Sequence, residues 1–427
     1  MFEHICSCVL ECGCRVVTDN RAVKGGEMFF GIKGENCDGS DYAGAALKAG
    51  ARYAVINKGS KCAGIPGTIE VDDTLETLKQ LGIWNRRRFN VPVIGLTGTN
   101  GKTTTKELIR AVLAKKYRVA ATEGNLNSDI GVPISLLGIK EDTEVAVIEM
   151  GANHPDDIAK LVEVVQPDMG LITNVGRAHL LGFGSFDGVK AAKGKLYDYL
   201  AAHDCPLFLN EDDADLVAMA AERKGVSVVP YGAEYEGVEM LPATAEEPFL
   251  RFVTGGIQVN TKLVGAYNVN NALAAICIGR YFEVPVEDAA KAIEEYEPKN
   301  KRSQMVRTGK NTLIVDAYNA NPSSMAAAVR NFSKVESQKK LALLGEMREL
   351  GGESAAEHRK VIDLLKENGL EAVLVGEEFA KVAEGAFDVF PTSEALAAEL
   401  EKRSLEGWTV LLKGSRGVEM EKVIKCL

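Results

Sequence analysis

The sequence predicts an α/β protein with three domains. Its 427 residues are more than one hydrophobic core usually organises. The pattern of buried strand, glycine turn and amphipathic helix recurs along the chain, which is typical of parallel α/β folds. Hydrophobic residues make up 46% and charged residues 26% of the chain, so the composition excludes a disordered, collagen-like or coiled-coil protein.

The net charge of the chain argues against some classes of binding partner. Lys and Arg number 50 against 60 Asp and Glu, a formal charge of −10, which argues against a broad basic surface for nucleic acid or anionic membrane. No apolar run approaches the roughly 18 residues that span a bilayer, and Met1–His4 lacks a signal-peptide pattern. We expect a cytoplasmic protein with no nucleic-acid partner and no membrane insertion.

The nine cysteines are an odd number and mostly far apart, which favours reduced thiols. Four of them, Cys6, Cys8, Cys12 and Cys14, form a C-x-C-x3-C-x-C cluster. Its spacing differs from the C-x2-C pairs of zinc sites. We expect thiols of the core or surface there, and metal binding remains the alternative.

Residues 1–90 read as a small α/β domain. Short apolar runs predict strands at Val16–Thr18, Met28–Ile32 and Tyr53–Ile56, with a helix at Asp41–Gly50. Leucines at helical spacing predict a further helix over Thr74–Arg88. The following Asn90 and Pro92 place the first domain boundary near residue 90.

Residues 91–298 read as a central domain with a parallel sheet. Strands are predicted at 91–97, 144–149, 169–173, 206–210 and 226–230. Runs 249–253 and 257–264 flank Gly255-Gly256 and predict a hairpin, followed by helices at 268–281 and 286–296.

Residues 299–427 read as a third, Rossmann-like domain. The polar stretch 297–303 is the best linker candidate. Strands at 312–316, 341–345, 372–376 and 409–413 are each followed by a predicted helix. The domain is expected to be Rossmann-like although no G-x-G-x-x-G opens it.

A phosphate-binding loop is predicted at Thr97-Gly-Thr-Asn-Gly-Lys-Thr-Thr104. It lies between a strand and a helix, where backbone N–H groups and the helix N-terminus cradle phosphate. Lys102 would reach the terminal phosphates and the Thr103 hydroxyl would bind Mg²⁺. Leu96 stands five residues before Gly101, so the loop is a shortened G-x-x-G-K-T form. The alternative is a glycine turn followed by a chance Lys-Thr.

Other candidates follow the neighbouring strands. Glu149 is the last residue of its strand, and parallel α/β proteins bind ligands at the carboxyl ends of strands. We expect a Mg²⁺ ligand there, with a solvated carboxylate as the alternative. His179 follows the next strand and is suggestive without deciding between roles. On residue pattern alone, Lys193 reads as a solvated cation on a helix.

These motifs resemble the Mur ligases of peptidoglycan synthesis. The shared stretches are the phosphate loop, Glu149–His154, Ile172–His179, Lys193 fourteen residues after His179, and Gly265–Ala275. The resemblance implies an ATP-dependent ligase that activates a carboxylate as an acyl phosphate, which an amine then attacks to form an amide.

Further stretches narrow the resemblance within the family. Thr18–Arg21, Phe30–Gly34, Asp316–Pro322 and Leu344–Gly351 are similar to ligases that add D-alanyl-D-alanine to UDP-N-acetylmuramoyl-tripeptide. Asn20, Ser128 and Tyr267 depart from the family's frequent residues and put individual hydrogen bonds in doubt. The Asp-Asn-Pro-Arg motif of the third-residue ligases is not found.

The resemblance implies roles for individual residues. The implied catalytic residues are Lys102, Glu149, His179 and Lys193. One Mg²⁺ would be bound by Thr103 and Glu149, and a second by His179 and a carbamylated Lys193. ATP would contact Gly98, Thr99, Asn100, Gly101, Lys102, Thr103, Thr104, Asn268, Asn271, Arg302 and Asp316. The substrates would contact Asn20, Arg21, Lys33 and Gly34 at the UDP end, Asn125 and Asn127 at the muramoyl end, and Asn319, Asn321 and Arg416 at the dipeptide.

Several alternatives stay open. The spacing of Asn268 and Asn271 suits an amide contact with adenine. The alternative is that they form a structural cap at the start of the helix. A sister ligase on the same scaffold, such as a third-residue Mur ligase or a folylpolyglutamate synthetase, is the nearest rival. A P-loop regulator that binds nucleotide without ligation is the rival from another class. We expect a monomer, and the third residue of the tripeptide is left open.

Overall fold

The computed structural model describes residues 1–242, 248–299, 301–403 and 405–427. Its contacts divide the chain into two compact units. The first comprises Met1–Leu96, Tyr117–Gly151 and Asp157–Gly170, and the second comprises Thr97–Lys116, Ala152–Asp156 and Leu171–Leu427. Residue 300 of the predicted linker lies outside the described residues. No helix within the described ranges is long and apolar enough to cross a membrane.

The α-helices, in chain order, are α1 (Phe2–Glu11), α2 (Ala43–Lys48), α3 (Thr74–Arg88), α4 (Lys102–Leu113), α5 (Gly131–Leu137), α6 (Asp157–Val165), α7 (Leu180–Phe183), α8 (Phe186–Ala202), α9 (Ala214–Ala221), α10 (Val269–Tyr281), α11 (Val286–Glu295), α12 (Pro322–Ser333), α13 (Ser354–Glu367), α14 (Glu377–Ala380) and α15 (Ser393–Leu400). The predicted helix over residues 74–88 is confirmed. The helix expected after residue 413 is instead a pair of 3-10 turns, Arg416–Val418 and Met420–Cys426.

The strands are β1 (Val16–Val17), β2 (Met28–Phe30), β3 (Tyr53–Asn57), β4 (Thr68–Val71), β5 (Val93–Thr97), β6 (Val119–Ala121), β7 (Val145–Glu149), β8 (Met169–Ile172), β9 (Pro206–Asn210), β10 (Ser227–Tyr231), β11 (Glu239–Leu241), β12 (Phe249–Thr254), β13 (Ile257–Val264), β14 (Gln304–Arg307), β15 (Thr312–Asp316), β16 (Lys340–Gly345), β17 (Glu371–Val375), β18 (Asp388–Phe390) and β19 (Thr409–Lys413).

The first unit begins with a four-stranded parallel sheet in the order β1-β2-β3-β4. Helices α1 and α3 contribute residues to the core beside it, including Val9 and Leu78, both 0% exposed. Strands β5, β7 and β6 pair in parallel in the same unit. Every residue of β5 and β7 is buried, as expected for strands covered on both faces.

The N-terminal cysteines belong to the core of this unit. Cys6 and Cys8 lie on the buried side of helix α1 and Cys12 caps its C-terminus, at 6%, 2% and 2% exposure. Burial raises the pKa of Cys12 to about 11, which disfavours the thiolate that metals bind. Within the described residues, no group of three or more His, Cys, Asp or Glu is placed to hold a metal. The cluster therefore packs the core.

The second unit carries the hairpin and the C-terminal sheet. β12 and β13 pair antiparallel, which confirms the predicted hairpin, and β11 adds a third strand. The C-terminal sheet has the order β14-β15-β19-β16-β17-β18, parallel except for β14 at one edge. Apolar residues pack on both of its faces. The α/β class with parallel sheets is as the sequence predicts.

Thiol labelling tests the placement of the cysteines. Brief treatment of the folded protein with an alkylating reagent should modify exposed Cys37 and spare buried Cys6, Cys8 and Cys12, because a buried thiol is neither accessible nor ionised. Peptide mass spectrometry measures the modification at each site. Unfolding in denaturant should equalise the reactivities. Equal labelling of all four thiols in the native protein would contradict the buried position of α1.

Candidate active site

The phosphate loop joins the end of β5 to the start of α4, the context that its sequence predicts. Gly98 and Gly101 have φ of +149° and +77°, values that favour glycine. A Cβ at Gly98 would overlap Thr173 Oγ1, and one at Gly101 would lie 2.7 Å from Asn271 Oδ1. Both positions therefore require glycine because of their backbone and their neighbours.

The segment after β8 holds the loop in place. Thr173 Oγ1 and Asn174 Nδ2 donate hydrogen bonds to the carbonyl of Asn100, at 2.7 and 3.0 Å. Asn174 Oδ1 accepts the N–H of Asn100 at 3.0 Å, and the carbonyl of Asn174 accepts the N–H of Thr99 at 2.9 Å. These bonds use two of the loop's N–H groups. The start of α4, where the helix dipole is positive, is then the part that attracts phosphate.

Lys102 and Thr103 occupy the first turn of α4. Lys102 Nζ donates to the carbonyls of Gly98 at 2.7 Å and Thr99 at 3.1 Å. The ammonium group is therefore held against the loop rather than extended into solvent. The Thr103 side chain is buried, with the residue only 7% exposed. A cation and a hydroxyl thus lie at the positive end of the helix, as nucleotide phosphates and their metal require.

His179 and Lys193 come together beside helix α7. The ring of Phe183 lies 5.8 Å from Lys193 Nζ and 6.5 Å from the His179 ring, centre to centre. Lys193 is only 2% exposed, so its interpretation as a solvated cation is wrong. Helix α8 presents this lysine from its buried side, which the spacing of its apolar residues alone did not indicate.

The electrostatics around His179 favour the neutral ring. Burial is the largest cause that lowers the pKa of His179, and the charges of Lys102 and Lys193 lower it further. The carboxylate of Glu349, which accepts a hydrogen bond from His179 Nδ1, opposes this shift. A neutral imidazole is the form that binds a metal ion.

Glu149 lies in the first unit, at the carboxyl end of β7. It is 1% exposed, and its Oε1 accepts a 2.7 Å hydrogen bond from Asn127 Nδ2. Its backbone N–H donates to Thr122 Oγ1 at 3.0 Å. The structure thus brings together Glu149 and Asn127, whereas Asn125 is exposed two residues earlier. The solvated reading of Glu149 is wrong, because its side chain is buried.

The candidate ligands suit Mg²⁺ better than a metal ion whose ligands all come from the protein. Within the second unit, the candidate ligands Thr103, His179 and Lys193 offer a hydroxyl, an imidazole and an amine that could carry a carbamate. Glu149, in the first unit, is a buried carboxylate. No cluster of three acidic or His/Cys ligands occurs in the described part of the chain. Mg²⁺ is usually bound by one or two protein ligands together with phosphate oxygens and waters. The residues present are consistent with that mode.

Asn268 and Asn271 lie beside the phosphate loop and are buried, at 2% and 7% exposure. Asn271 Nδ2 donates to Asn268 Oδ1 at 2.9 Å, and Asn271 Oδ1 accepts from Thr105 Oγ1 at 3.0 Å. Asn268 Nδ2 donates to the carbonyl of Val264 at 2.9 Å. Each amide group donates one N–H in these bonds and has a second N–H with which it could contact adenine. The adenine contact stays a prediction.

Two arginines and an ion pair cluster at the carboxyl ends of β15 and β19. Arg302 stacks on the ring of Tyr318, 3.7 Å from its centre, and Arg416 lies 5.6 Å from the same ring. Asp316 Oδ2 accepts a 2.5 Å hydrogen bond from Lys413 Nζ. The structure therefore brings together Arg302, Asp316 and Arg416, and it adds Tyr318 and Lys413, which sequence reasoning had not assigned.

Asn321 and Asn319 differ in their surroundings. Asn321 is the N-cap of α12, and its Nδ2 donates to Asn100 Oδ1 of the phosphate loop at 2.8 Å. Asn319 is exposed, and its Oδ1 accepts the N–H of Ala320 at 2.9 Å. The predicted contact of both residues with the dipeptide stays a prediction.

The predicted UDP contacts follow the first two strands of the first unit. Asn20 and Arg21 come after β1, and Lys33 and Gly34 come after β2, with Lys33 and Gly34 exposed. Arg21 pairs with Asp19 at 2.7 Å and its side chain is 85% exposed. Neighbouring parallel strands end at the same edge of a sheet, so the segments that carry Arg21 and Lys33 follow strand ends at one edge. Their contact with UDP stays a prediction.

Comparison with known proteins identifies the family. Three family models match consecutive parts of the chain: the Mur ligase family catalytic domain over residues 15–88, the Mur ligase middle domain over 96–279, and the Mur ligase glutamate ligase domain over 301–416. The chain belongs to the Mur ligase family.

Particular relatives share one described activity. UDP-N-acetylmuramoyl-tripeptide–D-alanyl-D-alanine ligases of Bacillus subtilis and Escherichia coli are 32% and 34% identical to it. Both alignments cover 96% of this chain, with 92% and 93% of the relatives. A crystal structure of MurF from Acinetobacter baumannii has a TM-score of 0.84 at 30% identity, covering 96% of this chain and 92% of that one. MurF of Thermotoga maritima in complex with ADP has a TM-score of 0.82 at 27% identity, with 96% of each chain covered.

Substitution of Gly101 tests the loop geometry. Gly101→Ala should weaken ADP binding by at least about tenfold, or about 1.4 kcal/mol, because the Cβ would displace Asn271 from the loop. Gly59→Ala is the matched control, since Gly59 has φ of +79° but no atom within 4 Å of the added Cβ. Isothermal titration calorimetry measures both affinities. Equal ADP affinities for the two variants would contradict the crowding at Gly101.

Proposed function

We propose that this chain joins D-alanyl-D-alanine to UDP-N-acetylmuramoyl-tripeptide at the expense of ATP, through an acyl phosphate. The chain belongs to the Mur ligase family, and its relatives named for this reaction align along 96% of its length. The observation that carries the proposal is the phosphate loop with Lys102, His179 and buried Lys193 assembled within one unit. The products are the UDP-muramoyl pentapeptide, ADP and phosphate.

The chemistry requires activation of a carboxylate. Amide formation in water is unfavourable, so the terminal carboxylate oxygen of the tripeptide first attacks the γ-phosphorus and ADP leaves. The amine of D-alanyl-D-alanine then attacks the acyl carbon, and phosphate leaves from the tetrahedral intermediate. Lys102 places a fixed positive charge where the γ-phosphate charge develops. The N-terminus of α4 adds a positive dipole to the same end of the loop.

We propose Thr103, Glu149, His179 and a carbamylated Lys193 as the ligands of Mg²⁺. The ions would supply neutralisation of the phosphate oxygens during transfer. Carbamylation forms a bond between the uncharged Nζ of Lys193 and the carbon of CO₂, with release of one proton. The reaction needs the uncharged amine, because only that form has the lone pair that attacks CO₂. The resulting carboxylate is a hard oxygen ligand, which Mg²⁺ prefers to an amine.

The substrate assignments follow the three proposed domains, 1–90, 91–298 and 299–427. Asn20, Arg21, Lys33 and Gly34 would bind the UDP end, and Asn125 and Asn127 the muramoyl end. The remaining assigned contacts are Asn268, Asn271, Arg302 and Asp316 for ATP, and Asn319, Asn321 and Arg416 for the dipeptide. We also propose that the enzyme acts in the cytoplasm as a monomer, in the synthesis of a peptidoglycan precursor.

Substrate dependence tests the function. Phosphate release from ATP and Mg²⁺ with UDP-N-acetylmuramoyl-tripeptide should require D-alanyl-D-alanine, and mass spectrometry should detect the pentapeptide. The mechanism predicts this because the acyl phosphate turns over through attack by the amine. Release with a single amino acid as acceptor would move the assignment to a sister ligase. Nucleotide binding with no acceptor dependence would support the P-loop regulator instead.

Chemical rescue tests the role of Lys193. Lys193→Ala should lose most ligase activity and regain part of it with added acetate or formate, because a small carboxylate can replace the carbamate as a ligand. Lys195→Ala is the control on the same helix, since its side chain is 50% exposed, and it should retain activity without any response to acetate. Initial rates of pentapeptide formation measure both effects. Full activity of Lys193→Ala would refute the assignment.

A further inference from the structure

Glu349 contacts the predicted metal ligand His179 from a distant part of the sequence. Its carboxylate accepts a hydrogen bond from His179 Nδ1, and its carbonyl accepts the N–H of Leu181 at 3.3 Å. Both residues have left-handed backbones, with φ of +51° at His179 and +66° at Glu349. Such strain in residues other than glycine persists only where the surrounding structure enforces it, and it concentrates at functional sites.

The loop that carries Glu349, residues 346–350, is fixed by buried groups on both sides. The N–H of Met347 donates to His358 Nε2 at 2.9 Å, and His358 is 0% exposed. The N–H of Arg348 donates to Ser415 Oγ at 2.9 Å, and Ser415 is 3% exposed. These bonds set the backbone immediately before Glu349. The carboxylate is therefore presented to His179 by a rigid support, although the Glu349 side chain itself is 57% exposed.

The two nitrogens of an imidazole ring have separate roles in a metal site. A carboxylate only accepts hydrogen bonds when ionised, so the contact with Glu349 places the proton of neutral His179 on Nδ1. Nε2 then carries the lone pair that a metal ion needs. Histidines that bind metals commonly donate their other N–H to a carboxylate, which fixes both the tautomer and the orientation of the ring.

We propose that Glu349 is a positioning residue that orients His179 for Mg²⁺, and so makes the loop at residues 346–350 a part of the ligase site. This inference rests on the proposed function, in which His179 is a ligand. It assigns a role to a residue that the family motifs left without one. A purely structural contact between the two loops would stabilise the fold without changing the affinity for metal.

The experiment measures metal binding apart from catalysis. Mn²⁺ replaces Mg²⁺, and electron paramagnetic resonance measures free Mn²⁺ during titration in the presence of a non-hydrolysable ATP analogue and the UDP-muramoyl tripeptide. His179→Ala should remove one Mn²⁺ site. Glu349→Ala should lower the affinity of that same site for Mn²⁺ by about 10- to 100-fold. Glu349→Gln should lose less affinity, because its amide oxygen still accepts from Nδ1. Glu353→Gln, at a nearby exposed position, should bind Mn²⁺ as the wild type does.

A second readout separates positioning from folding. The Mg²⁺ concentration for half-maximal ligation should rise in Glu349→Ala, with most of kcat recovered at saturating Mg²⁺ and an unchanged thermal unfolding midpoint. Mn²⁺ affinity within twofold of the wild type would overturn the inference, and so would a wild-type Mn²⁺ titration that does not change in His179→Ala. Failure of the proposed function is distinguishable, because the wild-type chain would then form no pentapeptide.

Discussion

Repulsion between two anions is the constraint on which this structure depends. A carboxylate and a phosphate at about 4 Å repel by about 4 kcal/mol in a medium of the effective dielectric found near protein surfaces, before they reach bonding distance. The second unit answers with positive charge at fixed positions: Lys102 held on the loop carbonyls and the N-terminus of α4. Carbamylation would turn the side chain of the buried Lys193 into an anion. It would then help to neutralise the phosphate charge only by binding a metal ion.

The phosphate loop can hold charges in place only if its own backbone is held. Hydrogen bonds from segments that are distant in sequence hold it. Thr173 and Asn174 bind the carbonyl of Asn100, and Asn321 binds its side chain. Arg177 donates its N–H to Ser323 Oγ at 3.1 Å, beside Gly176, where a Cβ would lie 2.8 Å from the same oxygen. Residues at the start of α12 thus reach both the phosphate loop and the segment that leads to His179.

The sequence predicts local features well because local rules determine them. The glycines of the loop, the strand before it and the helix after it follow from spacing alone, and Glu149 at the end of β7 follows from strand position. Helix α1 was not predicted, because cysteines occupy part of its apolar face and hide the helical spacing of its apolar residues. Glu349 could not be assigned, since it contacts His179 across 170 positions of the chain and no motif spacing connects them. The burial of Lys193 was indicated only by the family resemblance, and the edge strands β14 and β18 are too short for a clear pattern.

Transfer of oxygen from the tripeptide to phosphate tests the account most directly. The terminal carboxylate of UDP-N-acetylmuramoyl-tripeptide is labelled with ¹⁸O, and the phosphate released during ligation with D-alanyl-D-alanine is analysed by mass spectrometry. An acyl phosphate predicts that each phosphate carries one oxygen from that carboxylate. Phosphate that contains only oxygen from ATP and solvent would contradict carboxylate activation and, with it, the role assigned to the phosphate loop.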